Sequence, residues 1–157
     1  PALREVSSWV HLTVEMGRFY TAECGYYLTT AMDCKDHGGQ HYCIVDGGMN
    51  HLNYLGQIMG MKRPHLRHFA ARAASVQDWT LCGSLCTTND VLVRSMPLAG
   101  LYPGDLLVFE NTGAYSVTEG LGLFLSRDLP QVILWQNGTP HPARSETPTY
   151  PINTPAV

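Results

Sequence analysis

Cys86 lies in the stretch Cys82-Gly-Ser-Leu-Cys-Thr-Thr-Asn-Asp90, where small and polar residues surround a thiol and the run Val91-Leu-Val93 follows. By residue type alone a cysteine is more often a small buried hydrophobe. A thiol set in a turn ahead of a strand is instead presented, and a presented thiol can move a proton. Three other polar clusters are ones a core does not need: Glu15-Met-Gly-Arg18, Asp46-Gly-Gly-Met-Asn50 and Gly113-Ala-Tyr115. Glu15 and Arg18 form either a surface ion pair or two grips, one for a basic ring nitrogen and one for a phosphate. Taken singly, Asp46-Gly-Gly48 is a turn and Gly113-Ala-Tyr115 a packed aromatic after a bend. Four such clusters on one small chain predict a site assembled from loops.

Strands must position these loops. Trp9–Val14 alternates bulky and polar residues and is expected to be a strand that delivers Glu15 and Arg18 at its end. Phe19–Ala22 continues strand-like, and residues 26–45 read as a hairpin around Lys35-Asp-His-Gly-Gly-Gln40. Residues 51–61 lack a clean period and are left as a loop. Phe69–Val76 tolerates helix, whereas 77–82, 91–95, 106–109 and 130–135 read as strands, with Asn137-Gly138 a hairpin turn and an extended, Pro-rich tail after it. The expected fold is mainly β, an antiparallel Greek-key-like β-barrel in a single domain over residues 1–157.

At 157 residues the chain can bury a continuous core without staples. A net charge of −3 with ten scattered basic residues leaves no footprint for nucleic acid, so none is expected as a partner. No apolar run reaches membrane-spanning length, and neither a membrane nor an export signal is expected. Five cysteines at irregular positions point to reduced thiols and a cytoplasmic location. Cys24, Cys34 and Cys43 give Cys82 and Cys86 no second zinc knuckle, so no metal is expected. The start at Pro1 points to a fragment or a processed piece.

Taken together and in order, Glu15-Met-Gly-Arg18, Val45-Asp-Gly-Gly-Met-Asn50, Gly83-Ser-Leu-Cys86 with Asp90, Pro103-Gly-Asp105 and Gly113-Ala-Tyr115 resemble the C-terminal half of pyridoxal-phosphate-dependent decarboxylases of the diaminopimelate and ornithine type. The resemblance runs from about Val14 to about Val132. It implies a β-barrel domain of the alanine racemase/decarboxylase type that follows an α/β barrel, residues 1–20 forming the join. It implies pyridoxal phosphate as cofactor, an amino acid as substrate, and a homodimer with shared active sites. Glu15 is then the partner of the cofactor's ring nitrogen, Arg18 lies near its phosphate and the substrate's distal end, and Tyr115 closes over the cofactor. Cys86 resembles the thiol that reaches across the dimer interface.

Two departures bear on substrate. Met16 replaces the family's usual proline, a change in backbone stiffness. Thr87 stands where diaminopimelate and ornithine decarboxylases carry an acidic residue facing the substrate's distal amine, and a neutral threonine forms no such ion pair. The segment Asn50–Lys62 also lacks an Arg-Pro, as in a divergent branch whose members act on amino acids tethered to carrier proteins or serve secondary metabolism. Lys35 and Lys62 match no cofactor-bearing lysine, so this piece alone is expected to be inactive. Two other readings are a catalytically dead homologue that regulates an active one and a free-standing β-barrel ligand carrier.

Overall fold

A computed structural model describes residues 2–53, 63–116 and 118–155. Much of the loop expected at 51–61, and Lys62 with it, lies outside them. Among the described residues there are eight strands: β1 (Tyr26–His37), β2 (Gln40–Val45), β3 (Leu66–Phe69), β4 (Val76–Cys82), β5 (Val91–Ala99), β6 (Leu106–Glu110), β7 (Val132–Gln136) and β8 (Thr139–Arg144). The first six form one sheet in the order β3-β6-β1-β2-β4-β5, and β7 and β8 form a separate hairpin. The sheet curls into a half-barrel. Short α-helices accompany it: α1 (Ala2–Val6), α2 (Gly17–Thr21) and α3 (Tyr150–Asn153).

The hairpin expected at 26–45 forms as β1 and β2, with His37 opposite Gln40 and glycines at positive φ, Gly38 and Gly39, between them. Period-two burial places Tyr27, Thr29 and Ala31 of β1, Cys43 and Val45 of β2 and Trp79 and Leu81 of β4 in the core. β6 carries Leu107, Val108 and Phe109 buried in succession, as its apolar run predicts. Strand β5 runs four residues past the expected end at Ser95. There one extra residue bulges the strand: Trp79 pairs with Met96 and Leu81 with Val93, and Ser95 takes a φ of 52°. The bulge keeps both Val93 and Met96 inward. Pro97 is tolerated because β5 is an edge strand.

The sheet departs from the all-antiparallel expectation at one pair, since β2 and β4 run parallel. The chain leaves β2, crosses to the far edge to form β3 beside β6, and returns to β4, so β2 and β4 are joined by a crossover and not by a turn. Two local expectations are also corrected. The strand expected at 9–14 does not form, and α2 with a 3-10 turn, Ala22–Cys24, replaces the strand expected at 19–22. The reason is docking: Ala22 O accepts the Gly113 amide at 2.9 Å and Gly25 O the Thr112 amide at 3.0 Å, so the segment is held by a loop and has no strand beside it. Residues 69–76 form no helix either. They end β3 and lead into β4, with the Ala71 amide donating to Asp105 at 3.0 Å.

Asp105 is almost fully buried and accepts from the amides of Ala71 and Tyr102 and from His68 Nε2 at 3.0 Å. Burial alone raises its pKa, but these donors outweigh burial and hold the carboxyl below its ordinary value. A carboxyl depressed on folding contributes stability that is fully present above its unfolded pKa, about 3.9, and is lost as pH falls through the folded value. The thermal midpoint is therefore expected to drop as pH falls below about 4, and Asp105→Asn, less stable at neutral pH, to show a shallower drop. Equal slopes in a calorimetric pH series count against this role for Asp105. Among the described residues no helix is long and apolar enough to cross a membrane.

Candidate functional site

Two glycines with no room for a side chain set one end of the site. A Cβ on Gly25 would strike the backbone of Gly113, and one on Gly113 would strike Thr21 O, so the turn after α2 and the loop after β6 meet backbone to backbone. That contact brings two of the predicted residues together. Arg18 Nη1 donates to Ala114 O at 3.2 Å, and its guanidinium stands 5.2 Å from the centroid of the Tyr115 ring. Gly17 lies against the Tyr115 hydroxyl, where any Cβ would displace it. Tyr115 has a φ of 63° and leaves half its surface exposed, so the backbone is held in an uncommon region to present the ring. Glu15 is exposed just ahead of α2, and no Glu15–Arg18 ion pair forms among the described residues.

The loop after β2 forms the middle of the site. Asp46 Oδ1 accepts from the Thr29 hydroxyl and from the Thr30 amide at 3.0 Å, which fixes the exit from the strand. Tyr27 and His51 meet at 3.1 Å, and His51 Nε2 lies 2.9 Å from Asp128 O. A carbonyl only accepts, so His51 donates through Nε2 and accepts the Tyr27 hydroxyl at Nδ1. Burial pushes the Tyr27 phenol far up, which keeps it a donor. The same loop reaches the Tyr115 end through the Asn53 amide, 2.9 Å from Ser116 O.

At the other end Cys86 is exposed, and a buried carboxylate shapes its loop. Asp90 Oδ2 accepts the Leu85 amide at 2.9 Å and Oδ1 the Met49 amide at 2.8 Å, so one side chain ties the Cys86 loop to the Gly-Gly-Met loop. Burial raises the Asp90 carboxyl, and the two amides oppose that rise without cancelling it. Gly48 and Gly83 close around the carboxylate so tightly that a Cβ on either would collide with it. The Ser84 amide adds a bond to Gly47 O at 2.7 Å, and Arg127 Nη2 donates to Ser84 Oγ at 2.9 Å. Thr87 is half-buried and lines a groove of about 580 Å³ beside this loop.

Arg18 and Tyr115 thus touch, Cys86 and Thr87 share a second loop, and the 46–53 loop joins the two ends. The contacts of Tyr27, His51 and Arg127 are not legible in the motifs. Their only signal is proximity in sequence to the glycine-rich turns and to the strand that precedes them.

Residues 18–113 match the family model for the pyridoxal-dependent decarboxylase, C-terminal sheet domain. The chain belongs to that family. Among curated decarboxylases, the L-glutamyl-[BtrI acyl-carrier protein] decarboxylase of Niallia circulans is 33% identical over 80% of this chain and 31% of its own length. The 2-[(L-alanin-3-ylcarbamoyl)methyl]-2-hydroxybutanedioate decarboxylase of Staphylococcus aureus is 35% identical over 79% of this chain and 33% of its own length. A diaminopimelate decarboxylase crystal structure superposes with a TM-score of 0.76 at 28% identity, over 87% of this chain and 34% of that one. The chain spans about a third of the length of the curated decarboxylases it matches.

The residues present fit the family's cofactor. Pyridoxal phosphate offers a dianionic phosphate, a planar ring and a basic ring nitrogen. The half-buried Arg18 guanidinium beside the exposed Tyr115 phenol suits the first two, and the exposed Glu15 carboxylate suits the third.

Proposed function

We propose that this chain is the sheet domain of a pyridoxal-phosphate-dependent amino-acid decarboxylase that works as a cytoplasmic homodimer, its α/β barrel and cofactor-bearing lysine lying outside residues 1–157. The observation that carries this reading is the Arg18–Tyr115 contact beside a site-forming loop in a chain of this family. When bound, the cofactor is the sink for the electron pair left on the substrate carbon as carbon dioxide departs. Arg18 and Tyr115 would hold its phosphate side and cover its ring. Glu15 would keep the ring nitrogen protonated. Cys86, offered from the partner subunit's loop, would deliver the proton to the substrate carbon through Sγ.

Thr87 favours a substrate without a free distal ammonium, since a neutral hydroxyl gives such a group no charged partner. An amino acid whose side-chain carboxyl is esterified to a carrier protein meets that requirement, and the likeness to a carrier-protein decarboxylase supports the same class.

The test is carbon dioxide release by the full-length enzyme from free diaminopimelate, ornithine and an L-glutamyl carrier thioester. Wild type is expected to prefer the thioester. Thr87→Glu is expected to shift the ratio of kcat/KM toward diaminopimelate and ornithine by about tenfold or more, the worth of a charge-assisted hydrogen bond of ~1.5–3 kcal/mol. An unchanged ratio would remove residue 87 from the substrate's distal end. No release from any amino acid with cofactor bound would turn the reading toward a regulatory homologue.

A further inference from the structure

The groove beside Thr87 has a use the decarboxylation site itself does not need. Its lining is one stripe on the outer face of the sheet. Lys35 and His37 stand two residues apart on β1, Tyr42 and Ile44 two apart on β2, and Val91 lies on β5. Lys35 is directly opposite Tyr42, and Ile44 is opposite Cys82, which is itself opposite Val91, so the stripe is continuous across the strands. One end is the Cys86 loop, through Thr87. The other is the tip of the β1–β2 hairpin, where His37 closes the turn.

The two ends differ chemically. Near the loop the walls are Ile44, Leu85 and Val91 with the Thr87 and Thr88 hydroxyls, suited to a chain of methylenes and amides. Toward the hairpin tip stand the Lys35 ammonium and the His37 imidazole. No ion pair engages Lys35 among the described residues, whereas the neighbouring Asp36 is taken up by His41 at 3.0 Å on the opposite face. Asp33 lies on the same face of β1 as Lys35 but does not line the groove. Burial and then Asp90 raise the Cys82 thiol on the groove floor, while Arg94 and Lys35 pull it the other way, so the Lys35 charge is felt inside the groove. A residue pair spans about 7 Å along a strand, so the distance from Ile44 to the hairpin tip is on the order of 15 Å.

We propose that this groove holds the phosphopantetheine arm of a carrier-protein-bound substrate, with the arm's thioester end at Thr87 and its phosphodiester at Lys35 and His37. The inference rests on the carrier-bound reading above. Decarboxylation requires a free α-amine and α-carboxylate, so a glutamyl group can be tethered only through its side-chain carboxyl. Its distal end is then a neutral thioester, which a threonine hydroxyl can face without an unpaired charge. Beyond the thioester the arm is a linear run of methylenes and amides that ends in a singly charged phosphodiester. The groove offers the same order of chemistry: hydroxyls, apolar wall, cation.

The test uses the full-length holoenzyme with three probes, all carrying γ-linked L-glutamate: the thioester of a holo-acyl-carrier protein, that of coenzyme A, and that of N-acetylcysteamine, which lacks the phosphate. Lys35→Glu is expected to raise KM for the carrier thioester by about tenfold, with kcat within about twofold, and to abolish its dependence on salt. Lys35→Arg restores both. The N-acetylcysteamine thioester is expected to show no such rise. Binding is read separately, by fluorescence polarisation of labelled holo- and apo-carrier protein, the holo form binding more tightly to wild type only. An unchanged KM for the carrier thioester in Lys35→Glu, with the fold intact by circular dichroism, overturns the groove while leaving the carrier-bound reading standing. Equal KM values for the coenzyme A and carrier thioesters overturn the carrier protein as the source of the arm. Turnover of free amino acids with none of the thioesters overturns both.

Discussion

Cys86→Ala in the full-length enzyme is expected to lower kcat by about a hundredfold or more and to leave cofactor binding intact. The size of the effect follows from the role. Cys86 is exposed, so its removal leaves no core cavity and costs little stability. A positioned general acid contributes ~10²–10⁴ in rate, well beyond what a small defect in an exposed loop produces. Arg18 and Tyr115, which would hold the cofactor, touch each other and not Cys86, so the cofactor absorbance should be unchanged. Separation of these two ends supplies a sharper experiment. If Cys86 serves the partner's site, a heterodimer of Cys86→Ala and Tyr115→Ala subunits carries one site with both residues intact. Statistical mixing of the two inactive proteins then restores about a quarter of wild-type activity. No recovery, with subunit exchange shown by mass, places Cys86 in its own subunit's site or in none.

The parts of this molecule legible in the sequence are those fixed by short-range physics. The strand-rich runs at 26–45 and 77–82 were legible from their residue types, and turn residues marked the hairpin at Gly38-Gly39 and the turn at Asn137-Gly138. The order of the polar clusters was enough to bring out the family resemblance, which the match over residues 18–113 bears out. What stayed hidden depends on partners distant in the chain. Residues 19–22 have a strand's composition, yet their neighbours are Thr112 and Gly113, ninety residues on, and a backbone docked against a loop closes its own helical turn instead. The parallel β2–β4 pair is invisible for the same reason, since its cause is the destination of β3 at the far edge. The bulge at Ser95 adds one residue that no local pattern marks. Asp90 was legible as part of a motif, but its work as a clamp was not, because Met49, forty-one residues away, is its second partner.

That clamp carries the second large effect. Asp90→Ala removes the acceptor of two amides, Leu85 and Met49, in a space sealed by Gly48 and Gly83. Each buried amide left unpaired costs ~1–3 kcal/mol, so the variant is expected to lose ~2–6 kcal/mol of stability. That is a large share of the 5–15 kcal/mol that typically holds a domain together. Asp90→Asn tests the geometry apart from the volume. An asparagine of the same shape keeps one carbonyl oxygen and turns an NH2 toward the other amide, so one donor faces another and about half the loss should remain. The two amides report directly: in Asp90→Asn one of Leu85 and Met49 should lose hydrogen-exchange protection and the other keep it. If both keep it, the carboxylate is not what holds them. Because Leu85 immediately precedes Cys86, the loosened loop should also cost kcat in proportion to its disorder, with a smaller effect on KM. The Asn and Ala variants should then rank in activity as they rank in stability.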